Sequence, residues 1–385
     1  MKILICPLDW GLGHATRCIP LIRVLQKHGH QVIVGAAGGG QRLLAAEFPG
    51  LEIFSFPGYR VRYSKSPAFF LPVMLMQLPS ILDGLYREGF QLRRMVAERK
   101  PDLVISDGRY GVFTRVVPCI FVTHQIYLRV PGRIPGIAWV ERLALKLNLA
   151  LLRRFREVWV PDFPGSKSLS GDLSHGHTNS SDLSNVIFIG PLSRFGKDDG
   201  AQGESNAEIR ADVLAMVSGL EPQRGLFEAA LRRELEKMPG TRVLVRGLPD
   251  ATDQNPSKIF SLRVGGLNEF NHLPGKTLAT LLKDAGMVVA RSGYTTVMEM
   301  AGMDVRAAVL VPTPGQTEQE YLADHLEQSA TAMRMDQDEL NLFWARENLG
   351  NYTGFGTWSA TREGAVPFSL TEFISSHKLL HREPL

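Results

Sequence analysis

At 385 residues the chain is too long for one ordinary core and suits two domains of roughly 150–200 residues each. Hydrophobic residues at 44% and charged residues at 21% exclude a disordered or collagen-like chain, and no uncharged apolar run of about 18 residues is present to cross a bilayer. Three cysteines without a CxxC pair exclude a disulfide scaffold and point to a reducing cytosol, and the short first apolar run, broken by Pro7 and Asp9, fits a cytoplasmic start better than a signal peptide. The net charge of +4 divides unevenly: 25 Lys and Arg face 15 Asp and Glu in residues 1–200, against 18 and 24 afterwards. A basic front half suggests an anionic partner such as a membrane surface, a nucleic acid or an acidic acceptor; a solvated basic face is the plainer reading.

In chain order, KILICP (2–7) is a buried-strand run, and helical periodicity follows from Ala15 to about His28 until Gly29 stops it. QVIVG (31–35) is a second strand, 41–48 a helix and 51–56 a further strand. Residues 81–99 form a basic amphipathic helix, DLVIS (102–106) and CIFVT (119–123) are strands, 137–157 a long helix and VWV (158–160) a strand. Residues 164–185 are rich in Ser, Gly, Asp and Asn without apolar period and read as a linker loop. A second alternating set follows: strands at 186–190, 242–245, 287–290 and 308–311, with helices at 296–301 and 318–326. The pattern predicts two tandem parallel-sheet α/β domains, 1–163 and 186–366, joined by 164–185 and followed by a C-terminal helix in 367–385. His175 and His177 look like a metal pair, but no third ligand lies nearby, so no metal site is expected.

Two phosphate loops fail on inspection. Gly11-Leu-Gly13-His14-Ala-Thr16 has Thr16 where a dinucleotide fingerprint needs its third glycine, and the second strand ends without an acidic residue. Gly275-Lys276-Thr277 ends like a P-loop, but Phe270 stands where the first glycine is required.

The strongest remaining signal is VVARSGYTTVME (288–299), in which a strand enters a small-residue turn and then a helix. Such a turn directs backbone N–H groups and the helix's positive end at one spot, an anion site, with hydroxyls from Ser292, Thr295 and Thr296. Glu299, one turn on, suits ribose hydroxyls; the plainer reading is a Thr296–Glu299 capping box. LVPTPGQTEQE (310–320) repeats the strand–loop–helix arrangement, with Thr317 and Glu320 able to form their own box and Glu318 and Gln319 left at the helix mouth for sugar hydroxyls.

The text RSGYTTVME followed by LVPTPGQTEQEYLADHL resembles the donor-binding half of family 28 glycosyltransferases, as found in MurG and the diacylglycerol sugar transferases. GLGHATRCIPLIRVLQKHGHQV, KPDLVISDGRYG, PCIFVTHQ and GPLSR are similar to further parts of that pattern, and the likeness is weakest between Pro57 and Lys100. The resemblance implies a GT-B fold, two Rossmann-like doubly wound domains facing a central cleft. It implies that Arg291, Ser292, Gly293, Tyr294, Thr295 and Thr296 surround the donor diphosphate, that Glu299 holds ribose, and that Gln316, Glu318 and Gln319 approach the sugar. His272 and Leu273, after Asn271, would read the base, Ser218 and Gly219 occupy the place of a phosphate loop, and Gly11 and Gly13 of the first turn are expected among the donor contacts. The family needs no metal and no resident cofactor, the nucleotide sugar being a co-substrate; helix N-termini and hydroxyls neutralise the leaving diphosphate.

His14 is the candidate base, because a helix N-terminus disfavours the imidazolium, and Asp107 would orient its other nitrogen. Arg17 could steer an anion or be a plain surface residue, and His124 reads as a packing residue or an acceptor contact. Residues 66–99 and 133–156 set apolar side chains beside Arg87, Arg93, Arg94, Arg99, Arg142, Lys146 and Arg153, which suits docking on anionic lipid; core packing is the plainer account. The expected activity is inverting, metal-independent transfer of a hexose or hexosamine from a UDP-type donor to an acceptor hydroxyl, lipid-linked or part of a cell-envelope glycan. The alternatives are a nucleotide-sugar hydrolase sharing the G-x-GH-x-x-R turn, a more distant epimerase and a non-catalytic nucleotide-sugar binder. A nucleic-acid binder comes last, for want of a stacking platform.

Overall fold

The computed structural model describes residues 1–9, 11–58, 70–127, 137–165, 168–176, 183–195, 210–248, 262–356 and 370–380, with the side chains of 70–75, 137, 138, 140 and 141 left aside. The chain divides into two compact units, Met1–Leu192 with Pro367–Leu385, and Ser193–Val366.

The first unit is built on a seven-stranded parallel sheet. In chain order its strands are β1 (Lys2–Pro7), β2 (Gln31–Ala36), β3 (Glu52–Ser55), β4 (Leu103–Asp107), β5 (Cys119–Val122), β6 (Glu157–Val160) and β7 (Val186–Phe188), in spatial order β3-β2-β1-β4-β5-β6-β7. Its helices are α1 (Gly13–Lys27), α2 (Gly38–Glu47), α3 (Phe70–Arg99), α4 (Ile137–Leu152), the one-turn α5 (Asp172–His175) and a late helix, Leu370–Ser376. Ile3, Leu4 and Ile5 are fully buried, as expected of a strand covered on both faces. Leu92 and Val96 of α3 and Leu149 and Leu152 of α4 join Leu4, Cys6, Val104 and Phe121 in one core. Gly29 ends α1 at φ 76°, a left-handed turn that glycine enters without steric cost. The strand order reverses between β1 and β4, whose register pairs Pro7 with Asp107, so the crevice beyond these carboxyl ends is the topological switch point.

The second unit holds a six-stranded parallel sheet in spatial order β10-β9-β8-β11-β12-β13. The strands are β8 (Val213–Met216), β9 (Arg242–Val245), β10 (Leu267–Phe270), β11 (Val288–Ala290), β12 (Ala308–Leu310) and β13 (Met333–Arg334). The helices are α6 (Gln223–Lys237), α7 (Gly275–Asp284), α8 (Tyr294–Gly302), α9 (Thr317–Gln328) and α10 (Leu342–Asn348), and the helix at 370–376 is α11. Here the order reverses between β8 and β11, with Met216 paired to Ala290.

Three features differ from the sequence expectation. The strand at 186–188 closes the edge of the first sheet against β6, so residues 186–192 belong to the first unit and not the second. The serine-rich stretch after β6 is organised in its described part: the fully buried Asp162 carboxylate accepts from the backbone N–H groups of Phe163, Leu169 and Ser170 and from the Ser168 hydroxyl, and Leu169 and Leu173 are buried. Helix α3 begins at Phe70, eleven residues before the expected start, and continues through Pro79, whose missing N–H leaves the remaining ladder to carry the helix. Helix α11 returns to the first unit, where Phe373 packs edge-on to Trp159 at 5.2 Å and His28 and Ser375 are hydrogen-bonded at 2.8 Å. No helix among the described residues is long and apolar enough to cross a membrane.

Candidate active site

In the first unit α1 opens at Gly13, directly beyond β1, and places His14 and Arg17 on one side, one turn apart. Asp107 ends β4 beside them. His14 Nδ1 lies 3.1 Å from Asp107 Oδ2. Arg17 donates from Nε to both Asp107 oxygens, at 2.8 and 2.9 Å, and from Nη2 to Oδ1 as well. Its Nη1 lies 3.2 Å from Nδ1 of the buried His124, and its Nη2 is 2.9 Å from His14 Nδ1. His14 keeps 21% of its side chain exposed, whereas Asp107 keeps 1%.

Hydrogen-bond polarity decides what this cluster can do. The contacts accommodate two tautomers: with Nδ1–H the ring donates to Asp107 and Nε2 keeps its lone pair, and with Nδ1 unprotonated it accepts from Arg17 Nη2. Burial raises the Asp107 carboxyl, but the Arg17 and His14 charges outweigh it and hold it at about 2. Burial and then Arg17 lower the His14 pKa, against the opposing pull of Asp107. The result is a fixed carboxylate behind a neutral imidazole. Arg17 is therefore neither a surface residue nor a free anion guide; its guanidinium is a buried clamp on Asp107. Gly108 completes the turn at φ 74°, where a Cβ would come within 2.8 Å of His14 Cε1. Gly11 turns at φ 82° with open space around it, and Gly13 is the first residue of α1.

In the second unit the expected donor residues gather along the carboxyl edge of the sheet. Ser218 and Gly219 follow β8, Asn271–Leu273 follow β10, 291–293 link β11 to α8, and 311–316 link β12 to α9. Space is open at Gly219, Gly293 and Gly315, where an added Cβ would meet nothing within 4 Å. Glu299 is 5% exposed and forms an ion pair with Arg194 at 2.6 Å. Burial raises the Glu299 carboxyl, and Arg194 opposes it. Arg194 was absent from the residues picked out in the sequence as donor contacts, although it ends the GPLSR segment; it also depresses His272, second to burial.

Other residues of the set serve the protein itself. Arg291 is 1% exposed, donates to the carbonyls of Pro312 at 2.9 Å and Val311 and Gln223 at 3.2 Å, and lies 4.0 Å over the Phe227 ring. It ties the loop before α8 to the β12–α9 loop and to the start of α6, and it is buried. Ser292 donates to the Gln319 carbonyl at 2.7 Å, and Tyr294 and Leu273 are buried. Gln319 Oε1 accepts from Thr313 N at 2.9 Å and its Nε2 donates to Gln316 Oε1 at 2.6 Å, so this amide braces the 313–316 loop. Neither expected capping box forms. Helix α8 is capped by Gly293 and leaves Glu299 for Arg194, while Glu320 accepts from Gly315 N, ahead of the Gln316 cap. Thr295, Thr296 and Glu318 are half-buried in the first turns of α8 and α9. No metal-ligating cluster of three or more His, Cys, Asp or Glu occurs among the described residues; His177 lies outside them, and His175 accepts from Gly165 N and stacks on Phe188.

Two parallel-sheet α/β domains in tandem are the architecture of the GT-B fold, which hosts more than one chemistry. Residues 264–353 match the glycosyltransferase family 28 C-terminal domain. An uncharacterized glycosyltransferase of Methanosarcina mazei is 25% identical over 87% of this chain and 86% of its own. The UDP-N-acetylglucosamine–N-acetylmuramyl-(pentapeptide) pyrophosphoryl-undecaprenol N-acetylglucosamine transferase of Methylorubrum populi is 24% identical over 84% of this chain and 80% of its own. Among solved structures, the glycotransferase of kitacinnamycin superposes with a TM-score of 0.61 at 18% identity, covering 97% of this chain and 98% of its own. MurG of Acinetobacter baumannii gives 0.52 at 14% identity over 97% and 98%. The chain is a GT-B glycosyltransferase resembling family 28.

Proposed function

We propose that the chain transfers a hexose or hexosamine from a UDP-type sugar to an acceptor hydroxyl, with inversion and without a metal ion. The observation that carries this reading is the His14–Asp107 pair, a neutral imidazole backed by a buried carboxylate at a sheet switch point. His14 Nε2 takes the acceptor proton as the oxygen attacks the anomeric carbon, and Asp107 stabilises the imidazolium that forms. The bond from that carbon to the diphosphate breaks, and the positive end of α8 with Thr295 and Thr296 receives the developing charge. Glu299 exchanges part of its Arg194 contact for ribose, Glu318 and the Gln316–Gln319 pair face the sugar, and Ser218, Gly219 and the backbone around His272 border the nucleotide. The named activity of the Methylorubrum populi relative supports a lipid-linked acceptor and a UDP donor.

A cytoplasmic enzyme touching an anionic membrane surface fits the same reading. Leu78, Leu82, Tyr86 and Phe90 recur every four residues along α3 and are 46–68% exposed, and Trp139, Leu143 and Leu147 do so on α4 at 43–67%. These stripes lie beside Arg87, Arg94 and Arg142, the composition of an interfacial surface. The expected apolar residues Phe69 to Leu75 fall outside the described side chains. Water as acceptor is the second reading, favoured by the Gly11, Gly13, His14, Arg17 pattern. Purified protein given UDP-sugars with lipid-linked and soluble acceptors separates the two: sugar recovered on an acceptor supports transfer, and free sugar alone supports hydrolysis.

A further inference from the structure

A cleft of about 400 Å³ opens on the first unit between α3, the segment linking β4 to β5 and the C-terminal end of α4. Three of its walls carry arginines, Arg93, Arg115 and Arg154, each from a different element, and no lining residue is acidic. Neighbouring arginines on α3 are neutralised: Arg87 pairs with Asp83 at 2.8 Å, Arg94 with Glu98 at 2.6 Å and Arg99 with Glu52 at 2.7 Å. Among the described residues no such ion pair is formed by Arg93, Arg115 or Arg154. Arg93 donates to the Gly89 carbonyl at 3.1 Å, and Arg154 lies 4.4 Å over the Phe113 ring. The acid that could have neutralised them, Glu88, turns inward to the buried Arg109 at 2.9 Å. Tyr110 forms another wall, its ring fixed by a 2.6 Å hydrogen bond from its hydroxyl to Asn148 Oδ1.

Three arginines lining one cleft with no carboxylate among its walls give it a positive potential that a bound anion offsets. Their planar forks match phosphate oxygens, and the aromatic walls suit whatever that phosphate is attached to. We propose that this cleft is a phosphate-binding site, taking the phosphate of a soluble phosphomonoester or of a lipid headgroup. Its lining includes none of the residues of the His14 cluster and none from the second unit, so the inference stands whether or not the transferase reading does.

The test compares the full-length chain with two variants of equal charge loss, Arg115→Gln/Arg154→Gln and, at exposed positions of α6 and α10 in the second unit, Arg233→Gln/Arg346→Gln. Each is titrated calorimetrically with glycerol phosphate and floated with phosphatidylcholine vesicles with or without phosphatidic acid. The cleft variant should lose about tenfold or more in affinity for whichever probe binds, and the control variant less than about twofold. Saturable binding of glycerol phosphate identifies a soluble ligand; binding only to phosphatidic acid vesicles identifies a lipid headgroup. Equal loss in both variants, or no binding of either probe by the unaltered chain, overturns the proposal.

Discussion

His14 Nδ1 has a carboxylate at 3.1 Å and a guanidinium nitrogen at 2.9 Å, and only the first can take its proton. The proposed base uses the tautomer in which Nδ1–H donates to Asp107, while Arg17 keeps Asp107 ionised and its own charge close to the ring. Replacing His14 by Ala should lower the turnover rate about 10²–10⁴-fold at unchanged thermal stability, measured by nucleotide release and by calorimetry. Because burial and Arg17 depress the His14 pKa, the acid limb of kcat/KM should lie below the ordinary histidine value of 6.5. Arg17→Met removes the charge that disfavours the imidazolium, so that limb should move to higher pH; an unmoved limb would mean that His14 is not the titrating base. Asp107 also links folding to acid. Its carboxyl falls from 3.8 to about 2 in the folded chain, so the unfolded chain binds the proton more tightly. The stabilisation, roughly 2 kcal/mol, is present above pH ~4 and is lost as pH falls toward ~2. Denaturant titrations of Asp107→Asn should show the gap to the unaltered chain narrowing over that interval.

At the scale of elements, short parallel strands deliver these side chains and the loops beyond them hold the geometry. Gly108 is one such point: a methyl group there meets both a left-handed φ of 74° and the imidazole at 2.8 Å. Gly108→Ala should cost roughly 1–3 kcal/mol in chemical denaturation and lower turnover by displacing His14. Arg291 is another, since its guanidinium bonds two carbonyls of the β12–α9 loop and one at the start of α6. Arg291→Met strips donors from these buried carbonyls and should lower stability by roughly 3 kcal/mol, seen as a fall in Tm. Much of this was legible beforehand. The strand runs at 2–7, 31–35 and 102–106, the helix stop at Gly29 and the turn after β11 were all readable from period and punctuation. The central strand β8 (Val213–Met216) and helix α6 were not, because four apolar residues carry too little period and α6 has a mixed Arg/Glu surface. The start of α3 was hidden by Pro79, and β7 was assigned to the wrong sheet because strand pairing is a non-local property. At the site, residue type pointed to Arg17 and Arg291 as possible ligand contacts, yet their long side chains turn inward to acceptors that are distant in sequence.

At the scale of the whole molecule, the proposed reading assigns different halves of a group transfer to the two units: the His14–Asp107 pair to one, the strand-end loops with the Glu299–Arg194 pair to the other. The excess of basic residues falls in residues 1–200, the part that also presents the exposed apolar stripes of α3 and α4. The most direct test of the central claim is nucleotide release from a panel of UDP-, GDP- and dTDP-sugars in EDTA, with and without lipid-linked and soluble acceptors, beside His14→Ala and Glu299→Ala. The account predicts UDP release that requires an acceptor, persists in EDTA, falls at least about 10²-fold in His14→Ala, and is accompanied by weaker donor binding in Glu299→Ala. Acceptor-independent release would make water the acceptor, while full activity in His14→Ala, or no nucleotide-sugar binding at all, would contradict the assignment of the site.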